Sequence, residues 1–275
     1  METIERTGFG VVTFWTLSSN TDRAKLQQAL NALGLDTAVP ERTAQAALRA
    51  AMEQHARATI QTSKTTRVLV RPLEDRDGYA IVQEEAEGQS LYYSPGVKAT
   101  LAEDGSLNTY GIWDIEDAYR QEQNILPAAN VAGMLTGILS RLGAVALREK
   151  GGVYWLPQDA IDAWGLIAKA VEASGEGNAV FQVKTGLDGE AIRAIEAALA
   201  HEVRRDTQTI RDEIASGELG DRALENRKAK AAAIRTKIEH YESVLQRQLA
   251  GLKDLADRAT TEEVGCSLVQ AGGIV

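Results

Sequence analysis

The sequence predicts an α+β fold: an antiparallel meander with helices, a winged-helix-like middle and a long C-terminal antiparallel helical hairpin. Three observations carry this. Between Arg67 and Ala102, residues of strand type alternate with period two, and Asp77-Gly78, Glu87-Gly88 and Pro95-Gly96 punctuate them. Such pairs favour turns by supplying a positive φ or a preset one. From Ile115 to Ala173 the order is helix, turn, helix, glycine-turned hairpin and helix, the order of a winged helix. From Asp188 to Thr260 apolar residues recur at helical spacing with one break at Ser216-Gly217-Glu218-Leu219-Gly220.

The elements follow in order. Phe9 to Leu17 is rich in β-branched and aromatic residues and reads as a strand. Asp22 and its neighbours offer N-caps for a helix carrying Leu26, Leu30 and Leu33, which Gly34 stops. Pro40 is suited to the first turn of a second helix, running through the alanine-rich stretch to Ala58. Short strands are expected at Arg67–Leu73, Tyr79–Glu85, Ser90–Ser94, Val97–Ala102 and Leu107–Trp113. Helices are expected at Ile115–Asn124, Ala129–Leu142 and Gln158–Ala173, and Ala144–Pro157 reads as strand, glycine turn, strand. Ala179–Lys184 reads as a strand returning to the N-terminal sheet.

In the hairpin, Ile192, Ile195, Leu199, Val203, Ile210 and Ile214 form the first stripe. The second runs Ile234, Ile238, Tyr241, Leu245, Gln248, Leu252 and Leu255, a heptad rhythm with one polar interruption. The expected domains are an α+β domain over 1–113, a winged-helix-like domain over 114–185, the hairpin over 186–260 and a flexible tail over 261–275.

The chain has 275 residues, 44% of them hydrophobic and 25% charged, with a net charge of -9. That composition is ordinary for a globular protein, and its acidity opposes tight nonspecific nucleic-acid binding. Cys266 is the single cysteine, so no intrachain disulfide or cysteine metal cluster exists. No stretch reaches the ~20 apolar residues of a membrane helix, and Met1–Thr7 lacks the pattern of a signal peptide. A cytoplasmic protein without membrane contact is the expectation.

No catalytic motif stands out. His55, His201 and His240 lie far apart, and Arg205 stands where a zinc-protease helix starting at His201-Glu202 needs its second histidine. Gly8-Phe9-Gly10 and Gly175-Glu176-Gly177 do not continue into a phosphate-binding pattern, so they read as turn and linker. The acids at Asp114, Glu116 and Asp117 precede a helix, where negative charge is favoured; Glu84, Glu85 and Glu87 sit beside a turn. No catalytic, metal-ligating or cofactor-binding residues are therefore assigned, and no cofactor is expected.

Two candidate surfaces follow. Arg141, Arg148, Lys150 and Tyr154 sit on or beside the winged hairpin, where basic side chains can touch phosphate. Against that, Glu149 shares the tip, and the preceding helix offers Ala132, Gly133, Thr136 and Gly137 in place of base-reading donors. The stripe Ile234, Ile238, Tyr241, Leu245 and Leu252 is the candidate partner-binding face.

Two stretches carry a resemblance. Leu147-Arg148-Glu149-Lys150-Gly151-Gly152-Val153-Tyr154-Trp155-Leu156-Pro157 and Arg235-Thr236-Lys237-Ile238-Glu239-His240-Tyr241-Glu242-Ser243-Val244-Leu245 together resemble an uncharacterised family of phages and bacterial mobile-element operons. Its genes neighbour a MoxR-type AAA+ ATPase and a von Willebrand A-like protein. The resemblance implies an accessory role near an ATPase and brings no catalytic residues. The expected function is a non-enzymatic interaction or adaptor protein that docks a protein partner, such as an AAA+ ATPase, or forms a homo-oligomer through the hairpin. The alternative is a nucleic-acid-binding accessory protein using the wing and the basic second helix.

Overall fold

A computed structural model describes residues 8–35, 37–59, 66–75, 77–87, 90–112, 114–149, 151–215 and 221–258. The first part of the chain holds strands β1 (Phe9–Thr16) and β2 (Thr21–Asp22), helices α1 (Arg23–Ala32) and α2 (Ala44–Thr59), and strands β3 (Thr66–Pro72), β4 (Gly78–Glu87), β5 (Ser90–Leu101) and β6 (Leu107–Tyr110). The middle holds α3 (Ile115–Gln123), β7 (Ile125–Leu126), α4 (Ala128–Arg141), β8 (Val145–Ala146), β9 (Tyr154–Pro157), α5 (Ile161–Ala173) and β10 (Ala179–Gly186). The C-terminal part is helical: α6 (Gly189–Ala215), α7 (Asp221–Leu245) and a short helix over 250–258. The expected tail over 261–275 lies outside the described residues. Every described strand pair is antiparallel, so the mixed fold with antiparallel sheets and a helical C-terminal region is as the sequence predicts.

The chain divides into two compact units. Unit 1 comprises Met1–Thr16, Leu135–Lys169 and Ala179–Val275; unit 2 comprises Leu17–Met134 and Ala170–Asn178. Residues 114–185 therefore contribute to both.

Unit 2 is built on the sheet β3-β4-β5-β6. Ala47, Leu48, Ala51 and Met52 of α2 pack with Ile115 and Tyr119 of α3 over Ile81 and Ala99 of the sheet. The alanines let the helix approach closely. The helix starts later than Pro40 suggests, because the Thr43 hydroxyl accepts from Ala46 N–H at 3.2 Å and caps it there. Pro95-Gly96 does not turn the chain. β5 runs through it, and a register shift between Ile81 and Val82 absorbs one extra residue as a bulge. Buried Asn178 closes the unit: its Oδ1 accepts from Ser18 N–H at 2.8 Å, and its amide donates to Thr21 Oγ1 and to the Val171 carbonyl.

Unit 1 is built on the sheet β10-β1-β9-β8. One face carries Val12, Trp155 and Val145, which pack with Leu187, Ile192, Ile195 and Leu199 and with Ile234, Ile238, Tyr241 and Leu245. On the other face Trp164 Nε1 donates to Thr13 Oγ1 at 2.9 Å, both groups fully buried. The expected wing is part of this sheet. β9 pairs with β1 as well as β8, because its Trp155, Leu156 and Pro157 are apolar and bury fully only between neighbours.

The two hairpin helices form as the stripes predict; the break expected between them, at 216–220, lies outside the described residues. The second stripe is interrupted. α7 stops at Leu245, and Gln246 takes φ 48°, the left-handed conformation that ends many helices. Arg247 N–H donates to the Glu242 carbonyl at 3.1 Å and Leu249 N–H to the Glu242 carboxylate at 2.7 Å. Leu249, Leu252 and Leu255 then turn back onto the same core, so apolar burial overrides the continuing heptad.

Candidate interaction site

The candidate docking stripe is core. Ile234, Ile238, Tyr241 and Leu245 are 9%, 0%, 0% and 1% exposed, and Leu252 is half-buried against the same cluster. An isolated helix pair must bury its apolar stripe somewhere. Here the sheet of unit 1 covers it, so these residues hold the fold together, and of them Ile234 also lines the groove described below. Tyr241 is anchored further: its hydroxyl donates to the Gly143 carbonyl at 2.8 Å. Burial first, then the nearby Glu202 and Asp159 charges, push that hydroxyl well above the ordinary tyrosine range, so it stays a donor.

The candidate nucleic-acid residues differ in their surroundings. Arg141 and Arg148 are exposed, and Lys150 lies outside the described residues. Tyr154 is committed elsewhere: its ring stacks on Trp15 with centroids 5.4 Å apart, and its hydroxyl lies 3.2 Å from Thr136 Oγ1. Glu149 at the tip bonds His201 at 3.1 Å.

Unit 1 also holds a groove of about 950 Å³ between the end of α4, the start of α5 and the hairpin helices. Leu142, Ile210 and Ile234 supply apolar walls; Arg141, Lys230 and Lys237 supply cations, and His240 an imidazole. Most of those charges are already answered. Lys237 contacts Glu202 at 2.6 Å and the Ala144 carbonyl at 2.8 Å. Lys230 lies 2.8 Å from Glu213 and, by that hydrogen bond, lowers the pKa of its carboxyl. His240 lies 3.7 Å from Asp159. Among the described residues no cluster of three or more metal-ligating side chains occurs.

The surface that sequence reasoning missed is the outer edge of β10. Three large apolar side chains are exposed here: Phe14 at 37%, Phe181 at 44% and Val183 at 53%. Phe14 and Phe181 are cross-strand partners and stack with centroids 5.1 Å apart. Phe181 and Val183 share a face, being two residues apart on a strand.

The backbone decides what this edge offers. Leu187 N–H donates to the Gly8 carbonyl. In an antiparallel ladder, bonded pairs recur every second residue, so Thr185, Val183, Phe181 and Ala179 bond inward to β1. The N–H and C=O groups of Gln182 and Lys184 point outward. β10 ends the sheet order, and no described strand meets them. Val180 has the same parity, but it is buried and already has a partner, so the open stretch is Phe181–Lys184, exposed at all four residues. The strand has no proline inside it and one charge, Lys184, whose Nζ sits 3.9 Å over the Phe9 ring. Natural edge strands are normally short, charged or covered; this one is eight residues long and apolar on one face. The sequence signal is the alternation in Ala179–Lys184, but alternation does not say which side of a strand is unpaired.

A family model described as a family of unknown function, DUF6744, matches residues 9–263. No curated protein and no solved structure matches the chain. No described helix is long and apolar enough to cross a membrane.

Proposed function

We propose that this chain, which belongs to the family DUF6744, is a non-enzymatic interaction protein that docks a protein chain by strand addition at β10. One observation carries this reading: the outward amides and carbonyls of Gln182 and Lys184 lie beside the exposed strip Phe14, Phe181 and Val183. Strand addition takes its affinity from main-chain hydrogen bonds and its selectivity from alternate side chains, and both are on offer here. The hairpin serves indirectly, by backing the sheet that presents the edge. The resemblance to phage and mobile-element proteins supports an accessory role beside a MoxR-type AAA+ ATPase as the setting.

The test is photo-crosslinking in the cell of origin. With Phe181 replaced by p-benzoylphenylalanine, irradiation is expected to yield covalent adducts between this chain and protein, while the same replacement at Leu166, exposed on α5, yields none. No adduct from position 181 contradicts the reading.

A further inference from the structure

We infer that the strand accepted by this edge is β10 of a second copy, joined antiparallel about a two-fold axis at Val183. The inference rests on the proposed edge-docking role and specifies the occupant. Three features of the strand select it.

The first is backbone parity. A two-fold at Val183 sets Gln182 against Lys184 of the second copy, twice. These are the residues whose polar groups point outward, so both pairings become bonded pairs of one continuous ladder. An axis at Gln182 or at Phe181 would instead need Val180, which is buried and already has a partner. The second is side-chain matching. The axis sets Val183, the most exposed of the three apolar side chains, against its own copy in a non-bonded pair, where facing side chains lie closest. It also sets Phe181 against Thr185 of the second copy, an aromatic facing a β-branched residue, which is a favourable cross-strand pair. Phe14 stacks on Phe181, so the apolar strip runs through from one β1 to the other. The third is charge. Lys184 is the only charged residue in β10, and in this register it faces Gln182, whose amide oxygen can accept from it. An axis at Lys184 would set two lysines face to face. Pairing at Val183 therefore brings no like charges opposite each other, although the chain carries -9 overall.

The experiment is sedimentation equilibrium of the full chain across a concentration range, with circular dichroism to confirm folding of each variant. The wild-type chain is expected to show a reversible monomer–dimer equilibrium. Gln182→Pro removes one outward N–H and no bond to β1, and is expected to weaken dimerisation on the order of tenfold or more. Val183→Lys and Val183→Glu should each weaken it alone, because the axis sets position 183 against itself and like charges then meet. Mixed together, the two variants should form a heterodimer tighter than either homodimer, since the introduced ammonium then faces the introduced carboxylate. A monomer at every concentration overturns the inference, as does a dimer insensitive to all three changes or a mixture no tighter than its components. A chain that becomes dimeric only when cut after residue 258 also overturns it, by showing that its own C-terminal residues cover the edge. If the chain is monomeric while position 181 still crosslinks to another protein, strand addition stands and self-pairing falls; if position 181 crosslinks to nothing, both fall.

Discussion

Replacing Ile238 with alanine is expected to destabilise the protein by about 2–5 kcal/mol, the range for emptying a packed aliphatic site. Ile238 is 0% exposed at the centre of the cluster that joins α6 and α7 to Trp155 and Val145 of the sheet. The missing methylenes leave a void that Tyr241 cannot move to fill, because its hydroxyl is held by the Gly143 carbonyl. Urea unfolding followed by tryptophan fluorescence reads the change. A docking residue on a free coiled-coil face would give a near-neutral result in the isolated chain, so a shift within about 0.5 kcal/mol, the range for surface changes, contradicts the placement of this stripe in the core.

Gly10→Ala is expected to be about as damaging, by overpacking. Gly10 lies inside β1, paired with Pro157 on one side and Thr185 on the other. A methyl group there would run into the indole ring of Trp155 and stand 2.6 Å from the Leu156 carbonyl oxygen. The oxygen belongs to the neighbouring strand's backbone, and the indole is itself fully buried. Neither yields without moving a strand, so a loss of about 1–3 kcal/mol, and occasionally more, follows. The same unfolding curve measures it. The contrast with Gly186→Ala sharpens the test: that position has open space where a Cβ would sit, and its stability should barely change.

What the sequence reveals and what it hides have separate physical origins. Period 3.6 locates α6 and α7 because a buried stripe is a local pattern, and the Asp22 cap and Gly34 stop of α1 are local too. The positions that mislead are decided by distant neighbours. Gly8-Phe9-Gly10 reads as a turn at the head of the expected Phe9–Leu17 strand, yet pairing with β10 takes in both Phe9 and Gly10, and Gly10 is kept small for Trp155. Pro95-Gly96 reads as a turn, yet pairing with β4 carries β5 through it as a bulge. The heptad continues past Leu245, yet the Glu242 carboxylate and the core draw the chain back. The docking stripe is hidden for the same reason: a helical face shows that something covers it, and only the fold shows that the cover is the chain's own sheet. The β10 edge is missed for the converse reason, since alternation marks a strand without marking its open side.

The most direct measurement of the edge-docking claim is residue-resolved amide hydrogen exchange along β10. In the dilute chain the amides of Phe181 and Val183, bonded to β1, should exchange slowly, while those of Gln182 and Lys184 exchange as open backbone. At concentrations where the chain associates, the second set should become protected. Protection of Gln182 and Lys184 in the dilute monomer would mean the edge is already covered and contradicts edge docking; continued open exchange of these two amides where the chain associates would mean that a second copy does not pair there and contradicts self-pairing.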